Sequence, residues 1–265
     1  VCEMHKHMGD SHPGLMNKLI DFNSEKLYQI DKRNKYVGPN ASWSLRPELT
    51  MDYLFGGIVK LPSPASAETL RVLDLLGSKH IVLLRHPADY LVALYCYYAR
   101  IVGSEKTPVE GQFQDLILRL ENSLFSNLDD MDSTFSHLIT RGYLLGSLSW
   151  MLDWLQFRNQ ERSMVVRYED LISAPMETLD RVGKFLYGKP LGGPASDACH
   201  AIVSKTPHAT AYAKFYPRGY TGEIGVWQKY FLPVHVDQYK NVMTKYLDLM
   251  PNADLLKKLY PDIGL

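Results

Sequence analysis

The stretch KHIVLLRHPADYLVALYCYYAR, residues 79–100, decides the fold. Lys79 and His80 lead into the apolar run Ile81-Val82-Leu83-Leu84, which reads as a buried strand. Arg85, His86 and Pro87 follow, and an apolar helix then runs from Ala88 to about Ile101. Pro87 suits the first helical turn, where no backbone N–H is missed. A cation at the carboxyl end of a parallel strand, facing a helix N-terminus, is a common way to hold an anion such as phosphate. The segment therefore raises the question of a bound nucleotide.

Upstream, Gly57–Leu61 reads as a second buried strand and Ala65–Leu76 as an amphipathic helix. With Ile81–Leu84 they make a βαβ unit, which implies a parallel sheet. Earlier still, Val1–Met4 reads as a short strand and His5–Pro13 as a polar loop. Gly14–Leu27 reads as a helix and Tyr28–Thr50 as irregular. Downstream, residues 103–134 lack a clear pattern and suggest a flap or substrate-side insertion. A long helix is expected from about His137 to Arg158, feeding the strand Met164–Arg167 and then Tyr168-Glu169-Asp170-Leu171. Helix Pro175–Tyr187 follows, with apolar Met176, Leu179, Val182, Phe185 and Leu186 at helical spacing. After a Gly/Pro turn, Ser196–Ser204 reads as a short helix and 205–225 as an aromatic-rich loop. Val234–Leu249 reads as a final helix. With no repeat or linker, residues 1–265 read as a single α/β domain, a parallel β-sheet flanked by helices.

Composition narrows the function. Lys+Arg and Asp+Glu both number 29, so the net charge is zero. A dedicated nucleic-acid binder needs many phosphate-neutralising cations, so no nucleic-acid partner is expected. Cys2, Cys96 and Cys199 have neither metal-ligand spacing nor the number for a disulfide framework, so no metal is expected and a reducing compartment is. No apolar stretch approaches the ~20 residues of a membrane span, and no signal-peptide pattern is read. The expectation is a cytoplasmic protein.

Three blocks resemble the sulfotransferase superfamily that uses 3′-phosphoadenosine-5′-phosphosulfate (PAPS). LLRHPADYLVALYCYY is similar to that family's Arg-x-Pro-x-Asp strand-to-helix element. GYLLGSLSWMLDWLQFRNQERSMVVRYEDLISAPMETLDRVGKFLYG is similar to its Gly-Ser-x-x-x-x-x-x-Trp helix, strand, Tyr-Glu-Asp-Leu and following helix. FYPRGYTGEIGVWQKYF is similar to its C-terminal loop, a basic-Gly pair followed by Gly-x-Trp. The resemblance implies a P-loop NTPase-like sulfotransferase fold. It also implies transfer of a sulfuryl group to a hydroxyl or amine on a small molecule, lipid or glycan, with 3′-phosphoadenosine-5′-phosphate (PAP) as product. Like phosphoryl transfer, this reaction needs positioning, charge neutralisation and removal of a proton.

The resemblance also implies site residues. Arg85 would hold the 3′-phosphate by a bidentate contact; the alternative is a structural ion pair with Asp89. Arg218 and Gly219 would close over the same phosphate, unless Arg218 is a solvated loop cation. Tyr168 would approach the adenine, or else be a core tyrosine, and Ser204 would face the nucleotide. Trp227 would pack the loop, and Ser147 and Trp150 would be scaffold. In MHKHMGDSHPG, Lys6, Gly9 and Ser11 would form the 5′-phosphosulfate loop. Lys60 would stabilise charge on the sulfuryl group. Two positions depart from the family pattern. Ala93 stands where a phosphate-binding serine is usual, and Pro62 where the catalytic histidine is usual. His12 and His7, which titrate near neutrality, are the candidate bases, with Asp52 a further carboxylate. The departures keep open a catalytically impaired homologue that binds nucleotide or a partner. A P-loop kinase is disfavoured, because Gly-x-x-x-x-Gly-Lys-Ser/Thr is missing from the chain.

Overall fold

A computed structural model describes residues 19–20, 28–30, 43–45, 58–59, 65–75, 77–103, 130–191, 197 and 222–264. Residues 1–84 with 150–205 make one compact unit, and 85–149 with 206–265 make a second.

The first unit contains two parallel strand pairs among the described residues, and the two strands of the βαβ reading fall in different pairs. Strands β1 (Leu19–Ile20), β2 (Tyr28–Ile30), β3 (Trp43–Leu45) and β4 (Ile58–Val59) precede helix α1 (Ala67–Leu75). β1 pairs with β4 in parallel, and β2 with β3 antiparallel. Two expectations are corrected here. Leu19–Ile20 lies in a strand, not in a helix over Gly14–Leu27, and the span Tyr28–Thr50 holds a strand pair. Propensity over a short window gives way to strand pairing that joins distant residues.

The strand of the opening segment is β5 (His80–Leu84). It pairs in parallel with β6 (Ser163–Arg167), from His80 opposite Ser163 to Leu84 opposite Arg167. Val82 and Leu84 are buried, but Leu83 is half exposed. The strand therefore alternates, where its unbroken apolar run predicts burial on both faces. After β6 the chain turns at once into helix α2 (Tyr168–Ser173), and then α3 (Pro175–Tyr187). Leu179 and Val182 of α3 pack with Val166 and Leu191 in a cluster bordered by Ile81, Met164 and Leu171.

Lys79 ties β5 to this helix. Its ammonium donates to the carbonyls of Phe185 at 2.6 Å and Leu186 at 3.3 Å, and lies 5.5 Å from the centre of the Phe185 ring. A cation on the last carbonyls of a helix satisfies orphan acceptors and the negative end of the dipole. Lys79→Ala is expected to cost about 1 kcal/mol in a urea melt. An unchanged midpoint would show that water serves those carbonyls as well.

The second unit is helical. Helix α4 (Pro87–Gly103) begins where the sequence placed it. Helix α5 (Met131–Thr140) starts at Asp130, whose carboxylate accepts the Ser133 N–H at 3.0 Å. Helix α6 (Tyr143–Phe157) runs on through the end of this unit's first segment. The single long helix expected from His137 to Arg158 is thus two helices. Gly142, at φ 98°, makes the left-handed break that side-chain periodicity does not register. The patternless span 103–134 likewise ends inside α5. Helices α7 (Trp227–Tyr230), α8 (Pro233–Leu249) and α9 (Asp254–Leu259) complete the unit.

Its core is aromatic. The Phe135 ring lies 5.0 Å from Tyr95, 5.3 Å from Phe231, 5.8 Å from His235 and 6.2 Å from Tyr230. His235 is fully buried. The Leu232 N–H donates to its Nδ1 at 3.0 Å, so Nδ1 is an acceptor and Nε2–H donates to the Asp132 carbonyl, also at 3.0 Å. His235 thereby caps the start of α8 and anchors it to α5. No helix among the described residues is long and apolar enough to cross a membrane.

Candidate functional site

Arg85 is the residue that directly follows β5, and Pro87 opens α4. The Tyr90 N–H bonds to the His86 carbonyl at 2.9 Å, so the helical ladder starts immediately. Arg85 is half-buried, and its Nη2 donates to the carbonyl of Glu223 at 3.2 Å. A guanidinium carries five N–H donors in a rigid fork, and this carbonyl takes one of them.

Asp89 was open to reading as the ion-pair partner of Arg85. Its carboxylate instead accepts two backbone bonds from a segment far along the chain. The Gly225 N–H donates to Oδ2 at 2.7 Å and the Trp227 N–H to Oδ1 at 3.0 Å. Asp89 is 1% exposed. A buried carboxylate is costly unless both oxygens are satisfied, and here both are. The geometry explains the Gly-x-Trp spacing. Gly225 sits at φ 70°, a left-handed backbone that directs its own N–H and that of Trp227 onto one carboxyl group. The Trp227 ring packs 6.1 Å from Phe231. Lys229 pairs with the Glu223 carboxylate, tying the same segment to α7. Arg85 and Asp89, one helical turn apart, thus hold Glu223, Gly225 and Trp227 by three hydrogen bonds.

Around this clamp the helix is apolar. Ala88, Leu91 and Val92 are fully buried. Ala93, partly buried, offers no hydroxyl where the family resemblance leads one to look for it. Behind it, burial pushes the Cys96 thiol up to about 12 from an ordinary value near 9, with Tyr230 and Arg85 opposing the rise. Cys96 should therefore resist iodoacetamide at pH 8 in the native protein and react on unfolding, as peptide mass spectrometry would read. Because the folded thiol holds its proton longer than the unfolded one, this contribution to stability is present below about pH 9. It declines as pH rises from there toward about 12. Burial also raises the Tyr239 hydroxyl, and the carboxylates of Asp262 and Asp89 add to the rise. At the loop before α4, His86 meets the C-terminal segment. Its ring lies edge-on to Tyr260 at 5.5 Å, and its Nε2 is 4.0 Å from the Asp262 carboxylate.

Tyr168 is the residue that directly follows β6, at the start of α2. Its neighbours Glu169 and Asp170 are structural. Arg167 Nε lies 3.7 Å from Glu169 and 3.9 Å from Asp170, and Arg181 is 3.9 Å from Asp170. The Asp170 carbonyl also accepts the Thr178 hydroxyl at 3.0 Å, joining α2 to α3.

Of the residues given a direct role at the donor in the sequence, Arg85 and Tyr168 are described, and each follows a strand of the β5–β6 pair. Lys6, His7, Gly9, Ser11, His12, Asp52, Lys60, Pro62, Ser204, Arg218 and Gly219 lie outside the described residues. Sequence reasoning missed the clamp formed by Asp89. One signal for it was present: a carboxylate in the first turn of a helix whose neighbouring positions are apolar. Among the described residues no group of three or more His, Cys, Asp or Glu side chains is arranged to hold a metal ion.

Comparison with known proteins follows the same blocks. The profile of the sulfotransferase domain matches residues 70–251. Mouse sulfotransferase 2B1 is 30% identical over 137 residues, covering 51% of this chain and 33% of the relative. Guinea pig 3-alpha-hydroxysteroid sulfotransferase is 24% identical over 177 residues, covering 62% of this chain and 54% of the relative. The matches thus span about a third and about half the length of these relatives. The crystal structure of mouse sulfotransferase SULT7A1 complexed with PAP aligns at a TM-score of 0.47 and 15% identity, covering 72% of this chain and 66% of that one.

Proposed function

Because this chain belongs to the sulfotransferase-domain family, we propose that it transfers a sulfuryl group from PAPS to a hydroxyl or amine of a small-molecule, lipid or glycan acceptor. The observation that carries this reading is the placement of Arg85. It follows a parallel strand, precedes a helix that opens with proline, and is aimed by the Glu223 carbonyl. Such a cation suits the 3′-phosphate that distinguishes this donor from ATP.

The remaining roles extend the same reading. Arg218 with the Gly219 N–H closes on that phosphate. Tyr168 and Ser204 contact the nucleoside portion. Lys6, Gly9 and Ser11 wrap the 5′-phosphosulfate. Lys60 neutralises charge growing on the bridging oxygen as the S–O bond to PAP breaks and the bond to the acceptor forms. The acceptor proton leaves to a base, for which His12 and His7 are the candidates.

A second reading is a homologue that binds nucleotide with impaired turnover, and Ala93 with Pro62 favours it. The deciding experiment supplies PAPS with an acceptor panel and follows release of PAP. The panel includes 3α-hydroxysteroids, because one relative is named for them. Acceptor-dependent release supports the transferase. Binding of PAP without release supports the impaired homologue. A chain that does not bind PAP defeats both.

A further inference from the structure

We propose that Asp89 is a positioning residue for donor binding. Through the amides of Gly225 and Trp227 it fixes the backbone at Glu223, and that backbone orients the Arg85 guanidinium. The inference rests on the donor reading above and adds to it a residue that touches no donor atom.

Two observations carry it. Both carboxylate oxygens of Asp89 are spent on backbone N–H groups at 2.7 and 3.0 Å, so none of its bonding is directed to the helix that carries it. The residue it fixes lies two positions beyond Glu223, whose carbonyl receives the Arg85 Nη2. Arg85, just before α4, and Asp89, in its first turn, therefore carry the proposed anion grip and the device that aims it. A guanidinium gains from an oxyanion only when its planar fork is already directed, and pre-ordering its backbone partner lowers the cost of binding.

Charge and positioning at Asp89 predict opposite signs. Asp89 carries negative charge one turn from a cation meant to hold phosphate. If it mattered only through that charge, Asp89→Asn would tighten PAP binding by removing repulsion. If it positions, Asp89→Asn should weaken binding, because an amide of equal size offers one oxygen to two N–H donors and turns its own NH₂ toward the second.

The test is calorimetric titration of PAP into wild type, Asp89→Asn and Gly225→Ala, at a temperature where circular dichroism shows each to be folded. Gly225→Ala keeps the buried carboxylate. Among the described residues its new methyl meets nothing closer than the Gln228 side chain at 3.9 Å, but the left-handed φ is strained for alanine. It disturbs the same path without touching the charge, and it keeps the question answerable should Asp89→Asn not fold.

The expected result is a loss of affinity of about tenfold in each variant, with faster hydrogen exchange at the Gly225 and Trp227 amides. Wild-type affinity, or tighter binding, in the folded variants overturns the positioning role and leaves the donor reading intact. A fall in melting temperature with unchanged affinity does the same, since it marks a merely structural residue. Absence of PAP binding by wild type overturns both.

Discussion

Arg85→Ala should remove most of the rise in melting temperature that PAP gives the wild-type protein. A ligand that binds only the folded state adds about 2.7 kcal/mol at a hundred times its dissociation constant. In a chain of this size that amounts to roughly 5–10 °C. Losing a bidentate, charge-assisted contact costs about 3 kcal/mol, or roughly a hundredfold in affinity. The same PAP concentration then stands near the variant's dissociation constant. The added stability falls to about 0.4 kcal/mol and the shift to about 1 °C. Arg85→Lys should fall between the two, because a point charge keeps attraction and loses the fork. Equal shifts in wild type and Arg85→Ala would sink the role of this residue. A wild-type protein whose melting temperature ignores PAP would sink the donor itself.

The second large effect is on stability. His235→Ala should lower the free energy of unfolding by about 3 kcal/mol, which in a thermal melt is a fall of roughly 10 °C. Two losses combine. The ring leaves a cavity beside Phe135 and Phe231, whose centroids lie 5.8 and 6.0 Å away. The Leu232 N–H and Asp132 carbonyl also lose their partner. Part of the second loss is recovered, because Leu232 is 43% exposed and water reaches that turn. His235→Phe separates the terms by restoring volume without the nitrogens, and about 1 kcal/mol should remain. If the phenylalanine variant melts as low as the alanine one, the hydrogen bonds and not the packing hold α8 to α5. A loss under about 0.5 kcal/mol for His235→Ala, the range of an ordinary surface change, would refute the anchoring role altogether.

How far the sequence foretold these features depends on where their causes lie. The β5–α4 element was legible because its signals are adjacent: four apolar residues, then Arg85, then Pro87. Helix Pro175–Tyr187 was legible to its ends, with Pro175 to open it and Gly188 to close it. The break at Gly142 was not, because helical periodicity continues through a glycine unless the backbone is seen to turn. Tyr168 begins a helix although the apolar strand runs straight into it, since Glu169 and Asp170 are drawn to Arg167 and Arg181. The strand at Leu19–Ile20 has its cause at Ile58–Val59, beyond any local window. Arg85 could be singled out from its own surroundings, and Tyr168 through the family resemblance of its block. Asp89 left only the weak signal of a carboxylate in the first turn of an apolar helix, because what it does is defined by amides 136 and 138 residues away.

That separation has a consequence for how the protein reaches its native state. Helix α4 is a local element, able to form early and cheaply, whereas β5 needs its distant partner β6. The Asp89 bonds close a loop of more than a hundred residues, whose entropy cost is met before any contact rewards it. They therefore belong to the last steps of folding. A chain that has collapsed but not finished presents Arg85 just ahead of a formed helix, with its aim still undetermined. On the donor reading proposed above, competence to bind would arrive with completion of the fold rather than grow in proportion to it, and an unfinished chain would not hold the nucleotide.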